Sequence, residues 1–563
     1  MPDAPAHAIM NQNNHGRAAL PPARRFRRAP GALLTLCAAI GLVTCGQAEK
    51  SVASGVATNE LLIVGYDREP DTMNRYATHI LEDIQSCVVE GLVTNDETMQ
   101  IVPVLAREIP TVENGGVILR ADGGMDVIWK LRAGVKWHDG VPHTSADVQF
   151  TVNVINKGDW KPESVDGFDR ITSVDTPDSL TAIVHYKEVY APYRLQFVRG
   201  TLPEHTLRGR DLNNANDYNR APLGTGPYKV TEWKTGEYIA LERVADYWRG
   251  GGAPAIKRIL FKFLPNTTTR INQLKSGEVH MVALVPWDKV RELRGVPSLR
   301  LNQVVGNGYE HVSLNERHFK PFAEVRVRQA LAHALNRPLI VNTLLDSLVA
   351  IVNGPIQPLS PAYNPSVRVY DYHPEIARAL LDSAGWKPGS DGVREKNGTR
   401  LSFTLITQSG FAIRENVAQT LQQQFREVGV EVKVQLIDGT SISSLWFNGE
   451  FDAMLHWWQQ GADPEITLFF AADRAPPAGR NINYLVDSAL TTLLYRSDRT
   501  VKESERITLL KEAQARVSEL APEIPLYNTG KFDAVPQMLQ NFKGNPTNAG
   551  PFWNVYAWKI AVP

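Results

Sequence analysis

Three stretches of the sequence hold residues whose type and spacing could do chemistry. Leu42-Val43-Thr44-Cys45 has the form of a lipobox, in which Cys45 would take a lipid and tether the chain to a membrane. Residues 451–470, FDAMLHWWQQGADPEITLFF, place two tryptophans side by side. Phe451 to His456 reads as a strand, and Trp457-Trp458-Gln459-Gln460-Gly461 as the loop after it. In extended backbone neighbouring side chains point to opposite sides, so one tryptophan faces a cleft and the other the core. A cleft-facing Trp offers a flat surface for a side chain, a sugar or an aromatic ligand. His311 and His318 lie seven apart, with no accompanying carboxylate pattern to make a metal motif.

Signatures of catalysis are missing from the sequence. There is no Gly-x-x-x-x-Gly-Lys-[Ser/Thr] loop, no His-Glu-x-x-His and no Gly-x-Ser-x-Gly. Gly224-Thr225-Gly226-Pro227 lacks the third glycine of a dinucleotide loop, and Gly250-Gly251-Gly252 precedes a proline and reads as a turn. Expectations are therefore a non-enzymatic protein with no cofactor and no metal. An exported hydrolase is the alternative; it would need a nucleophile, a base and an orienting group gathered from distant residues.

The elements that would position these residues follow from periodicity. Leu61–Gly65 is a short buried strand, and 80–92 carries apolar residues at helical spacing. Val127–Leu131 is strand-like, and Asp139-Gly140 marks a tight turn. Thr144-Ser145-Ala146-Asp147 opens a helix as a capping box. Residues 259–264 form a strand, followed by a helix over 267–276. An amphipathic helix covers 325–335, and another covers 375–384 with Pro374 in its first turn and Gly385 as its stop. Strand 401–407, helix 413–427 and strand 430–437 make one βαβ unit, with Gly429 ending the helix.

Length and composition bound the class. The chain has 563 residues, 60 Lys+Arg and 60 Asp+Glu, with 43% hydrophobic and 21% charged residues. That is a globular, multidomain composition with no basic excess to attract nucleic acid. Three cysteines exclude a disulfide-built scaffold. Cys87 sits in an apolar stretch and reads as a buried, inert thiol. Arg24-Arg25-Phe26-Arg27-Arg28 precedes an uncharged run, Gly31 to Val43, too short to span a bilayer. This is a secretory leader, expected over 1–44, with 45–58 as a linker. Two exits stay open: lipidation at Cys45, or cleavage after Ala48. Residues 1–44 hold five basic residues and Asp3, which leaves 55 basic against 59 acidic residues in the remainder, net −4.

Six blocks, in order over 59–563, resemble the bacterial extracellular solute-binding proteins of family 5, receptors of ABC importers for dipeptides, oligopeptides, nickel chelates and related solutes. They are WKLRAGVKWHDGVPHTSADVQFT (129–151), LGTGPYKVTEW (223–233) with LERVADYWRGGGAPAIKRI (241–259), RINQLKSGEVHM (270–281), RVRQALAHALNRPLIV (326–341), YHPEIARALLDSAGW (372–386) and GPFWNVYAWKI (550–560). His280 stands where the family usually carries Asp. Read from the residues alone, Trp129, Trp137 and Asp246-Tyr247-Trp248 pack domains rather than touch ligand.

The resemblance implies an α/β, two-lobed periplasmic-binding-protein fold, the type II, large three-subdomain variant with mixed sheets and a hinge. It places lobe I at 59–96, 206–308 and 531–563, an inserted subdomain at 97–205 and lobe II at 309–530. It implies a periplasmic or membrane-tethered monomer that binds a peptide or small-molecule solute and hands it to an ABC permease and ATPase complex, with no nucleic-acid partner. The ligand would be lined by Tyr66 and Glu69 after the first strand, Tyr309 at the hinge, Gln408 and Ser409, and the Trp457, Trp458, Gln460 and Asp463 stretch. In peptide receptors of this family an acid three positions before an Asp-Pro pair captures the peptide's amino group. Here the pair is Asp463-Pro464 and the position holds Gln460, which carries no charge to neutralise an ammonium. A sensor or adhesion module that has lost transport is a third reading.

Overall fold

The computed structural model describes residues 57–561, except 79–82, 161, 163, 164, 166 and 460. The expected leader, Cys45 and Gln460 lie outside the described residues. No helix among the described residues is long and apolar enough to cross a membrane.

The chain opens with β1 (Leu61–Tyr66), whose residues from Leu62 on are all buried, as an apolar run covered on both faces requires. Next come β2 (Val117–Leu119), β3 (Met125–Lys130), α1 (Ser145–Lys157), β4 (Ile171–Asp178) and β5 (Thr181–Tyr186). The expected capping box opens α1, with the Asp147 carboxylate accepting from the Thr144 N–H at 2.8 Å. Then follow β6 (Tyr228–Lys234), β7 (Tyr238–Arg243), β8 (Arg258–Phe263), α2 (Thr267–Ser276), β9 (Met281–Val282) and β10 (Leu299–Val304). The chain next forms β11 (Gly308–Leu314), α3 (Val325–His333), α4 (Pro374–Ser383), β12 (Ser402–Gln408), α5 (Ala412–Glu427), β13 (Glu431–Ile437), α6 (Gly439–Asn448) and β14 (Ala453–Gln459). It closes with α7 (Ser488–Asp498), α8 (Glu503–Leu520), β15 (Glu523–Asn528) and β16 (Lys531–Pro536).

These strands build three main sheets. A seven-stranded mixed sheet runs β10-β16-β9-β1-β8-β7-β6, a five-stranded mixed sheet β13-β12-β14-β11-β15, and a four-stranded antiparallel sheet β2-β3-β5-β4. Each buries its own apolar cluster, with Trp129 in the four-stranded sheet's core and Phe261 and Trp558 in that of the seven-stranded sheet. The expected βαβ unit is present: β12 and β13 pair in parallel, Ser402 opposite Glu431, and Gly429 has φ 83°. The chain passes between the two large sheets twice, at 305–307 and at 529–530.

Two expectations are corrected. The helix over 80–92 is absent from the described part, which has a single 3-10 turn at Gln85–Cys87. Beyond it the backbone bonds elsewhere: Gly226 N–H donates to the Val88 carbonyl at 2.9 Å and Leu92 N–H to the Phe197 carbonyl at 3.0 Å. Tertiary partners thus replace the i−4 carbonyls a helix needs. The strand expected to end at His456 runs on to Gln459, so Trp457 and Trp458 are strand residues, not a loop. Their backbone is held in the ladder with β11, Trp457 opposite Glu310 and Gln459 opposite Gly308.

Candidate ligand-binding cleft

A cavity of about 220 Å³ lies where the connections of the three sheets meet. Arg75 comes from the segment after β1, Glu90 from the segment after the 3-10 turn, and Arg199 from the chain following β5. Arg249 comes from the turn between β7 and β8, and Tyr556 from the C-terminal segment. The five-stranded sheet reaches in with Gly461 and Ala462, just past β14. That loop is fixed from both sides. Asn307, in the first crossing, donates to the Gly461 carbonyl at 2.8 Å, and Gln459 Nε2 donates to Asn548 Oδ1 at 2.5 Å.

The charged groups of the wall have distinct surroundings. Glu90 Oε1 accepts from the Tyr247 hydroxyl at 2.5 Å; its Oε2 accepts from Trp248 Nε1 at 2.9 Å and from the Thr225 hydroxyl at 3.3 Å. Burial pushes the Glu90 carboxyl up to about 7, and these donors, Tyr247 first, restrain the rise. The Arg249 guanidinium lies over the Tyr556 ring, 4.4 Å from its centre. Arg75 donates to the Val89 carbonyl at 3.2 Å.

None of the described residues expected to line the ligand lines this cavity. Tyr66 is the last residue of β1 rather than part of a loop, and its buried hydroxyl donates to Asp83 at 2.5 Å. Glu69 accepts from Trp233 Nε1 at 2.6 Å and from Gly236 N–H at 2.9 Å, tying its loop to the β6–β7 hairpin. Tyr309 is buried in β11 and donates to Glu523 at 2.6 Å. Gln408 ends β12, and Ser409 is exposed, its N–H on the Ile437 carbonyl at 2.8 Å. Trp457 is 45% exposed, whereas Trp458 packs on Phe469 and His456 at 5.0 and 4.7 Å between ring centres. Asp463 is held by Arg506 through two bonds of 2.7 and 2.5 Å. Gln460 is outside the described residues and immediately precedes Gly461.

Sequence reasoning did not single out Arg75, Glu90, Arg199 and Arg249, which line this cavity. Tyr247 and Trp248 do pack the fold as read, yet their polar atoms are what hold Glu90. One signal was available: Glu90 is the single charge in the apolar run CVVEGLV, which calls for partners.

A second polar cluster is buried within the five-stranded sheet. Tyr309, His311 and Ser313 share one face of β11; His311 Nε2 lies 3.5 Å from Glu523, and Ser313 meets His456 Nε2 at 2.8 Å. Burial raises the Glu523 carboxyl to about 8 and lowers His311 to about 3, so all are uncharged at neutral pH. Among the described residues no group of three or more His, Cys, Asp or Glu is arranged to hold a metal ion.

Comparison with known proteins assigns the family. Residues 100–475 match Bacterial extracellular solute-binding proteins, family 5 Middle. The oligopeptide-binding protein AppA of Bacillus subtilis is 29% identical over 517 residues, which cover 89% of this chain and 91% of AppA. The structure of that AppA in complex with a nonapeptide superposes with a TM-score of 0.70 at 27% identity, covering 89% of this chain and 99% of AppA. NikZ of Campylobacter jejuni in complex with Ni(L-His) gives a TM-score of 0.72 at 25% identity, covering 90% and 100%. The sheets described above are therefore those of a two-lobed periplasmic-binding-protein fold, and the chain belongs to the bacterial extracellular solute-binding proteins of family 5.

Proposed function

We propose that this chain is the exported receptor of an ABC importer, capturing a peptide-like or other polar organic solute between two closing lobes and delivering it to the permease. One observation carries the reading: the cavity takes its walls from all three sheets' connections, so lobe movement opens or seals it. Lobe I is assigned to 59–96, 206–308 and 531–563, the inserted subdomain to 97–205 and lobe II to 309–530. The crossings at 305–307 and 529–530 then serve as the hinge. Ligand acts by stabilising the closed state, in which contacts such as Gln459 with Asn548 form.

The protein works as a monomer without catalysis. The relatives named above are binding proteins, and the carboxyl in the wall is engaged by three donors rather than set beside a nucleophile. It acts at the outer face of the cell membrane or in the periplasm, anchored through Cys45 or released after Ala48.

Thermal unfolding with a pooled peptide library, free and N-acetylated, tests this. A ligand at 100 times its Kd adds about 2.7 kcal/mol and raises the midpoint. A rise with both pools is expected. A rise with free peptides alone would show that an amine is captured despite Gln460. No rise with peptides, organic acids, sugars or metal chelates would refute the receptor reading.

A further inference from the structure

The segments assigned above to the inserted subdomain and to lobe II touch beside the cavity, at a contact that involves neither crossing. From the subdomain comes the turn Ala191–Leu195, where the Arg194 side chain is 16% exposed and the next residue, Leu195, lines the cavity. From lobe II come α7, which lies against that turn, and the link 499–502 leading into α8. Arg194 Nη1 stands 3.3 Å from Oε2 of Glu503, the first residue of α8. Two residues earlier, Val501 packs on the apolar cluster of the four-stranded sheet.

Charges across the contact are complementary. The Arg170 charge acts on Asp498, and the Glu113 charge on Lys502. Arg170 pairs with Glu188 at 2.7 Å, and Lys502 with Glu505 at 2.7 Å, so these residues add attraction across the contact while being held on their own sides. Each side is also anchored to its own body. Arg506, one turn after Glu503, holds Asp463 through two bonds, and Asp463 directly follows Gly461 and Ala462 of the cavity wall. On the subdomain side the Tyr193 hydroxyl donates to the Pro110 carbonyl at 2.8 Å. Two fixed pieces, each running into the cavity wall, thus meet through one ion pair and one apolar side chain. Glu503 is 57% exposed, and a pair of that kind is worth about 0–1 kcal/mol. A contact this light can part and re-form, as the edge of a closing site must.

We infer that this contact is a latch: Arg194 meets Glu503 and Val501 seats on the inserted subdomain when the lobes close, and together they hold the solute in. The three are positioning residues, for none of them lines the cavity. The inference rests on the receptor reading above and on its lobe assignment.

The test uses the exported protein, with the pooled peptide library, free and N-acetylated, as probe. Thermal unfolding reads the ligand-free midpoint and the rise given by the pool, and small-angle X-ray scattering reads the radius with and without it. Val501→Asp sets a charge against the apolar cluster on closing. It is expected to weaken pool binding about 10-fold or more and to enlarge the pool-bound protein, while its ligand-free midpoint stays put. Arg194→Glu brings like charges together and is expected to weaken binding about 2–5-fold. Adding Glu503→Arg to it restores binding, a rescue that a merely structural role of either residue would not give. Ligand-free midpoints that fall as far as binding does show a permanent contact and overturn the inference. Pool binding that Val501→Asp and Arg194→Glu leave unchanged also overturns it; both results leave the receptor reading standing. A pool that alters neither midpoint nor radius, in the parent and in the variants, overturns the latch as well. The receptor reading then falls only if organic acids, sugars and metal chelates are silent too.

Discussion

Gly306 and Thr529 touch backbone to backbone: a Cβ built on Gly306 would stand 1.6 Å from the Thr529 carbonyl oxygen. The two residues belong to the two crossings between the large sheets, and the Thr529 N–H donates to the Gly308 carbonyl at 2.9 Å. The crossings are thus a single packed pair of segments rather than two independent tethers. A side chain at 306 forces them apart, because a carbonyl cannot swing aside as a side-chain tip can. Gly306→Ala is expected to cost about 1–3 kcal/mol, the range for overpacking a tight site. A urea midpoint unchanged from the parent would show that the crossings are looser than this.

The bond from Gln459 to Asn548 joins the last residue of β14 to the C-terminal segment. If it forms on closure, losing it destabilises only the closed state. Gln459→Ala is expected to weaken solute binding by about 0.5–1.5 kcal/mol, the net value of one such bond, with no change in ligand-free unfolding. Equal losses of binding and of ligand-free stability would mean the contact is permanent.

Asp463 was a candidate for capturing a ligand amine, and its pairing with Arg506 gives the opposite expectation. Both side chains are largely shielded, at 12% and 5% exposure. Removing Asp463 strips the buried Arg506 of both its carboxylate bonds and leaves only the more distant charges of Asp498 and Glu465 to offset it, a loss of up to about 3–5 kcal/mol. Asp463→Ala should therefore lower the unfolding midpoint sharply, while affinity in the fraction that stays folded changes little. Loss of affinity at unchanged stability would restore the ligand role.

Much of the architecture was legible because it rests on local rules. The capping box at Thr144–Asp147, the helix over 267–276 and the βαβ unit whose helix stops at Gly429 all follow from periodicity and stop signals within a few residues. The failures came where distant segments decide. Val88 and Leu92 have helical spacing, but their backbone bonds go to Gly226 and Phe197. Trp457 and Trp458 stay in a strand because β11 pairs with them. The cleft was the least legible part: Arg75, Arg249 and Tyr556 converge from opposite ends of the chain, and no spacing marks them as neighbours.

Glu523 makes stability depend on pH in a sense unusual for a carboxylate. Its carboxyl is raised to about 8 by burial, against an ordinary 4.5, so the folded protein holds a proton that the unfolded chain has released. Between those limits the folded state binds more protons, and stability falls as pH rises. Glu523→Gln cannot ionise and still offers an oxygen to Tyr309. The variant's advantage over the parent should be small below pH 4.5, grow by up to about 1.4 kcal/mol per unit toward pH 8, and level off above. Parallel curves from urea unfolding at pH 5, 6, 7 and 8 would count against a protonated Glu523.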